Sequence, residues 1–397
     1  MIVQNSTNCS SLQSLNDFND YIRQLKSETN LSVTALDQCR VQICHAIWGE
    51  SNPDISGIGI SIGYAVELGL GFCLAASVMA IRQKQGPGWE FAQLVIRAGL
   101  EAFFDFAIYF AISVELASIV MLVNKDFGIS TAGFGASQAQ IAFAISVVCV
   151  LPLVYPVALL PARLFHPQSE KQHDSDRKSE ETTRRQNSRL VLFAFLCVLF
   201  FYPFLSQCIH NWAPVRVGEG NGPDGDTIIT GEEWARVQGI CFESVDKLTV
   251  KEDFLLAICE IIASISIFLF VIWHAVDIGI QRLDEDDRYF GKERRRTRIL
   301  SRTRNFIAKG WNGHNGIQVL LLFIPLVLGG ALLWCIFRLR TIQAAATKNL
   351  GNEDLGNDWG FGQIVSIIMF APVPVNMVFT AWDAGPLLRV RRLECSE

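Results

Sequence analysis

Seven long apolar runs, at residues 55–81, 100–123, 139–160, 190–208, 254–280, 317–337 and 361–382, divide this chain of 397 residues. Each reaches or approaches the ~20 apolar residues that a helix needs to cross a hydrocarbon core about 30 Å thick. Lipid offers a backbone group no hydrogen-bond partner, so a spanning segment has to satisfy its own peptide groups, and for runs of this kind the α-helix does so. The expected fold is all-α, a polytopic membrane bundle of seven transmembrane helices. The longest connection, 209–253, is poor in core-forming side chains, which excludes a separate globular enzyme domain.

The loops predict an orientation. Taken alternately, the set 82–99, 161–189, 281–316 and 383–397 holds 23 Lys and Arg, against 11 in the N-terminal tail and the other loops. The basic-rich set is expected in the cytosol, which puts the N-terminus outside or in the lumen and the C-terminus in the cytosol. Three glycosylation sequons, at Asn5, Asn8 and Asn30, all fall in the N-terminal tail and agree with that side. The chain divides into a lumenal tail (1–54), the seven-helix domain (55–382) and a cytosolic tail (383–397). Met1–Leu15 lacks an apolar stretch, so the first span is expected to act as its own signal, in the endoplasmic reticulum or plasma membrane.

Within the tail, residues up to Ser32 read as poorly ordered, and 33–48 as one surface helix capped by Ser32. The polar stretch 168–189 reads as a disordered linker. Of 11 cysteines, Cys9, Cys39, Cys44, Cys208 and Cys241 lie on the expected lumenal side. Cys208 with Cys241 is the expected disulfide, with a second among Cys9, Cys39 and Cys44, and one thiol left over.

Ionisable residues inside a span are expensive and mark candidate sites. The second run carries Glu101, Asp105 and Glu115; at 100° per residue Asp105 and Glu115 fall about 40° to either side of Glu101, one narrow stripe. Arg97, one turn earlier, is placed to pair with Glu101. Glu67 lies in the glycine-rich first run and Glu260 in the fifth, where His274 and Asp277 also sit near the end. Three roles are open to these acids: interfacial ion pairs and helix-to-helix hydrogen bonds, a neutral carboxylic acid serving as general acid toward a lipophilic small-molecule substrate, or a proton or cation path. Phe104 and Tyr109 sit beside the acid stripe, and aromatic faces of this kind stabilise carbocations.

Other patterns carry less. Asp284 and Asp287 have the spacing of a diphosphate–magnesium site, but the nearest second cluster, Asp354 with Asp358, is expected across the membrane. Residues 222–233 resemble a calcium loop lacking its first carboxylate and its turn glycine. Asp287-Arg288-Tyr289 follows the fifth run, and the last run has neither NPxxY nor a lysine, so a receptor reading rests on topology alone. The arginines of 282–309 fit a topology signal beside anionic membrane lipids, and no nucleic-acid partner is implied. No cofactor and no metal site is implied either.

Two segments resemble a large family of filamentous-fungal multi-pass membrane proteins: Trp48-Gly-Glu-Ser-Asn52-Pro53-Asp54-Ile55-Ser56-Gly57-Ile58-Gly59, entering the first run, and Trp359-Gly-Phe361-Gly362-Gln363, entering the last. Asn52, Asp54 and Gln363 are expected to meet at one mouth of the bundle. The resemblance extends to small seven-span terpene cyclases of fungal secondary metabolism, which protonate an epoxide or alkene with membrane-buried carboxylates. This analogy implies a membrane cyclase and assigns no catalytic residue. From the acids in the spans, the expected general acid of a meroterpenoid cyclase is Glu101, Asp105 or Glu115, with Glu67 or Glu260 as alternates. A non-enzymatic receptor-like or transport protein is the competing expectation.

Overall fold

The computed structural model describes residues 9, 18–48, 57–81, 84, 86–126, 136–159, 175–212, 231–242, 248–290, 315–349 and 361–394. Among the described residues there are helices and no strands. Seven helices are long and apolar enough to cross a membrane, and they coincide with the seven runs. The chain is a multi-pass integral membrane protein.

Three short helices precede the first span: α1 (Phe18–Thr29), α2 (Val33–Gln38) and α3 (Arg40–Trp48). The spans follow as α4 (Ile58–Ile81), α5 (Pro87–Asp126), a broken third span of α6 (Ala136–Val150), a 3-10 turn (Leu151–Leu153) and α7 (Val154–Leu159), then α8 (Ser175–Trp212). After the extramembrane α9 (Gly231–Phe242) come α10 (Val250–Phe290), α11 (Asn315–Asn349) and a seventh span broken into α12 (Phe361–Ile368) and α13 (Pro372–Glu394). The third span is the hub: 89% of its apolar window is buried, against 17% for the seventh.

Prolines set the breaks. Pro152 and Pro156 lack the N–H that a helix interior needs, and the ring of each crowds the carbonyl four residues back. The third span therefore tightens to 3-10 geometry at 151–153. In the seventh span Ala371 N donates to Ile368 O at 2.9 Å, a three-residue step, and Pro372 then opens α13, where a missing N–H has no consequence.

Several expectations are corrected. The tail before Ser32 is not unstructured: α1 buries Tyr21, Ile22 and Leu25, one helical face, beside Leu36, Ile43 and Val237. Ser32 does cap a helix, accepting from Ala35 N, but the 33–48 helix is two helices interrupted at Cys39. The described part of 168–189 is helical from Ser175. Helices also overrun the expected loops: α5 starts at Pro87, α10 continues to Phe290, and α13 reaches Glu394. Charge ends a span without ending a helix, whereas Gly86, at φ 123°, with Pro87 does mark a true start.

The disulfides join Cys9 to Cys39 and Cys44 to Cys241. The expected Cys208–Cys241 bond is wrong, because α9 packs on α3 and brings Cys241 to Cys44, while Cys208 at the end of α8 keeps a free thiol. A Lys26–Glu233 contact at 3.5 Å ties α1 to α9 as well. Asn30 is exposed in a left-handed turn at φ 48°, a conformation that asparagine tolerates. Asn5, Asn8, Asn52, Asp54 and the stretch 222–230 lie outside the described residues, as do the side chains of His274, Asp277, Asp284 and Asp287.

The first and last spans meet where the two motif segments end. Gly59 N, a first-turn donor without an intrahelical partner, donates to Gln363 Oε1 at 2.9 Å. A Cβ at Gly59 would stand 2.5 Å from Gln363 Cβ. Gly59→Val is therefore expected to destabilise the bundle by about 1–3 kcal/mol, read as a lowered thermal midpoint in detergent. Gly69→Ala, with nothing within 4 Å, is expected to hold or raise that midpoint.

Burial pushes the Tyr21 phenol above the usual tyrosine range. The folded cap thus holds this proton more tightly than the unfolded chain does. Its contribution is complete below the ordinary value of about 10 and is lost as pH rises past it. Tyr21→Phe is expected to blunt alkaline loosening of α1, measured by hydrogen exchange; equal loosening in both proteins would count against this assignment.

Candidate functional site in the membrane interior

The five candidate acids separate into three places. Glu101 and Asp105 sit in the first half of α5, in a four-charge cluster. Arg97 Nε lies 3.1 Å from Glu101 Oε1, as its one-turn spacing predicts. Arg189, from the start of the fourth span on α8, donates to both Asp105 oxygens at 2.9 Å each and lies 3.5 Å from Glu101 Oε2. Side-chain exposures of 12% for Arg189 and 39% for Asp105 put the cluster at the bundle rim. Two carboxylates gripped by two guanidiniums clamp α5 to α8.

Glu115 lies ten residues further along α5, about 15 Å deeper, and is fully buried. Glu67 of α4 is fully buried too, and neither of its oxygens has a hydrogen-bond partner. The expected hydrogen bond from Glu67 across helices is absent. Glu115 Oε1 faces the Cys149 thiol at 3.6 Å and the Ser146 hydroxyl lies close to the same carboxyl, while the buried hydroxyl of Ser118, one turn on, has no hydrogen-bond partner. Tyr64, one turn before Glu67, and Cys149 each feel both carboxyls electrostatically. The two acids therefore share one interior site, built by α4, α5 and α6. Cys197 of α8 also feels Glu115.

Aromatic rings wall this site. Tyr64 packs on Phe110 at 5.6 Å between centroids, and Phe110 and Phe103 pack on Phe370 of the seventh span at 5.7 and 6.2 Å. Phe104 is buried, but its ring lies under the Arg189 guanidinium, 5.9 Å away. Tyr109 is misassigned as a wall. It is 57% exposed on the outer surface of α5, because the buried face runs through Phe103, Ala107, Phe110, Ala111 and Glu115.

The third place is Glu260 of α10, buried and hydrogen-bonded by Gln207 Nε2 of α8. It interacts electrostatically with Cys259 and Cys335, away from the Glu67–Glu115 pair. Among the described residues no group of three His, Cys, Asp or Glu side chains is placed to hold a metal ion.

Arg189, Tyr64, Ser118, Ser146, Cys149 and Gln207 went unnoticed as site residues. Arg189 had a legible signal: a lone guanidinium at the first turn of a span wants an acid on a neighbouring helix. The serines and Cys149 had none, since small polar residues are ordinary in membrane helices.

The fold and the site define a seven-span helical membrane protein with a paired acid in its interior. Comparison with family models, curated proteins and solved structures gives no match for this chain.

A buried carboxyl with no donor around it is destabilising by about 1–3 kcal/mol relative to an apolar group of similar shape. Glu67→Met is thus expected to raise the thermal midpoint of the purified protein. A fall of similar size would indicate that Glu67 holds the helices together rather than being tolerated for another purpose.

Proposed function

We propose that this chain is a membrane-embedded terpene (meroterpenoid) cyclase, an isomerase of fungal secondary metabolism, with Glu67 as general acid and Glu115 as a second acid of the same interior site. The observation that carries the reading is the Glu67 carboxyl, fully buried with no hydrogen-bond partner. Such a group is accommodated in apolar surroundings as the neutral acid, ready to give up its proton. Toward an epoxidised prenyl chain, the Glu67 proton goes to the epoxide oxygen as its C–O bond opens. The resulting cation is captured by an alkene, and loss of a proton to the Glu67 carboxylate closes the product and restores the acid. Atoms are conserved, so the product has the mass of the substrate. Tyr64, Phe103, Phe110 and Phe370 supply the faces that stabilise the passing cation.

The same reading makes the N-terminus lumenal. The two disulfides of the cap call for an oxidising compartment, and the exposed Asn30 sequon and the distribution of basic residues favour the same side. A transport reading has one observation in its favour: Glu67, Glu115 and Glu260 stand on three different helices, as a proton path would require.

Microsomes of a fungal host expressing the chain, fed epoxidised and plain prenyl-arenes and followed by mass spectrometry, test the cyclase. A new product of unchanged mass is expected, falling at least about 100-fold in Glu67→Gln, and persisting within a few-fold in Glu260→Gln. Turnover unaffected by Glu67→Gln and Glu115→Gln would sink the assignment. Proton flux in proteoliposomes, abolished by Glu260→Gln, would establish transport instead.

A further inference from the structure

We infer that Arg189 latches a lateral entrance between α5 and α8, through which a lipophilic molecule passes from the bilayer to Glu115. The nature of that molecule rests on the reading above; the entrance itself does not.

The seam is closed at the rim by one side chain. From α8, Arg189 spans Asp105 and Glu101 of α5 and covers the Phe104 ring. Beyond the latch the buried side chains of both helices are apolar: Ile108 and Ala111 of α5 and Leu196 of α8, with Phe193 and Phe200 of α8 packed on Phe270 and Phe268 of α10. Two turns beyond Arg189, about 12 Å along the helix, lies the buried Cys197, which feels the Glu115 carboxyl. Behind the latch, then, an apolar path leads to the acid site.

The latch also sits where it can be released. The Asp105 end of the pair is 39% exposed, so polar groups outside the bundle can reach it and compete for it. The wall on the α5 side is fixed: Asn376 Nδ2 of α13 donates to the Ala98 carbonyl at 3.2 Å, and Met377 fills the space over Gly99. The α8 side has the freedom. Its outer face, with Val191, Phe195 and Val198, is exposed to lipid. Pro203 interrupts its hydrogen-bond ladder, which is where helices bend. Beyond the proline, Gln207 anchors the far end to Glu260. With Arg189 released, the stretch between these anchors swings about Pro203, uncovering Phe104 for a passing cation and opening the way to Glu115.

Cys197 is a built-in reporter. In a Cys73→Ser, Cys208→Ser, Cys395→Ser background, which removes the more exposed of the described free thiols and the one in the C-terminal tail, labelling by a bilayer-soluble maleimide is followed peptide by peptide. Arg189→Gln and Asp105→Asn are each expected to speed Cys197 labelling at least about fivefold. Cys335, buried on α11 away from the seam, should keep its rate. The charge swap Arg189→Asp with Asp105→Arg should return Cys197 toward the parent rate. Unchanged Cys197 labelling in Arg189→Gln, an equal rise at Cys335, or a swap that restores nothing would each overturn the latch. Absent cyclisation with the labelling pattern intact would remove the cyclase reading and leave the entrance standing.

Discussion

Because the hydrocarbon core holds no water to exchange hydrogen bonds with, every polar group carried into it must find a partner within the protein or be destabilising. Helices meet this requirement for the backbone, and the departures from regular helix occur where local chemistry covers them. Pro152 and Pro156 fall in the most enclosed span, where neighbouring helices surround the distorted turn. Tyr155 donates to the Leu322 carbonyl at 2.8 Å, one residue from the carbonyl that Pro325 leaves without its helical donor. Gln363 accepts from the first-turn amide of Gly59, so one buried amide side chain satisfies a helix start and seals two spans together.

Against that background the acids sort by depth. At the rim, Glu101 and Asp105 are matched by Arg97 and Arg189, and the fork geometry of Arg189 on Asp105 is the strongest polar link between α5 and α8. In the interior, Glu260 has an amide donor in Gln207. Glu115 has a weak thiol donor, and Glu67 has no hydrogen-bond donor. Stability alone would replace such a residue with an apolar one. A carboxyl retained where it weakens the fold is the pattern of a site whose chemistry depends on it.

Much of the fold was legible. Span number and position followed from run length, since hydrophobic thickness is a single number that every span has to match. Ser32 as a cap and Arg97 with Glu101 followed from local spacing, which a helix fixes regardless of its surroundings. Helix ends were not legible from charge, because a polar helix leaves the membrane without ending: α5, α10 and α13 all run on. Nor were the cysteine partners, since Cys44 and Cys241 are 197 residues apart and meet only when α9 folds onto α3.

The sequence by itself determined a seven-span helical membrane protein with ionisable groups inside it, because apolar length and helical periodicity are properties of the chain alone. It placed Glu101, Asp105 and Glu115 on one stripe, and that stripe is real. Only the tertiary structure decided that its rim end meets Arg189 while its deep end meets Cys149 and joins Glu67. It likewise decided that Tyr109 faces outward while Phe110, the next residue, faces in. The reason is the same in each case: a helix fixes which residues share a face, and only packing fixes what that face is turned toward.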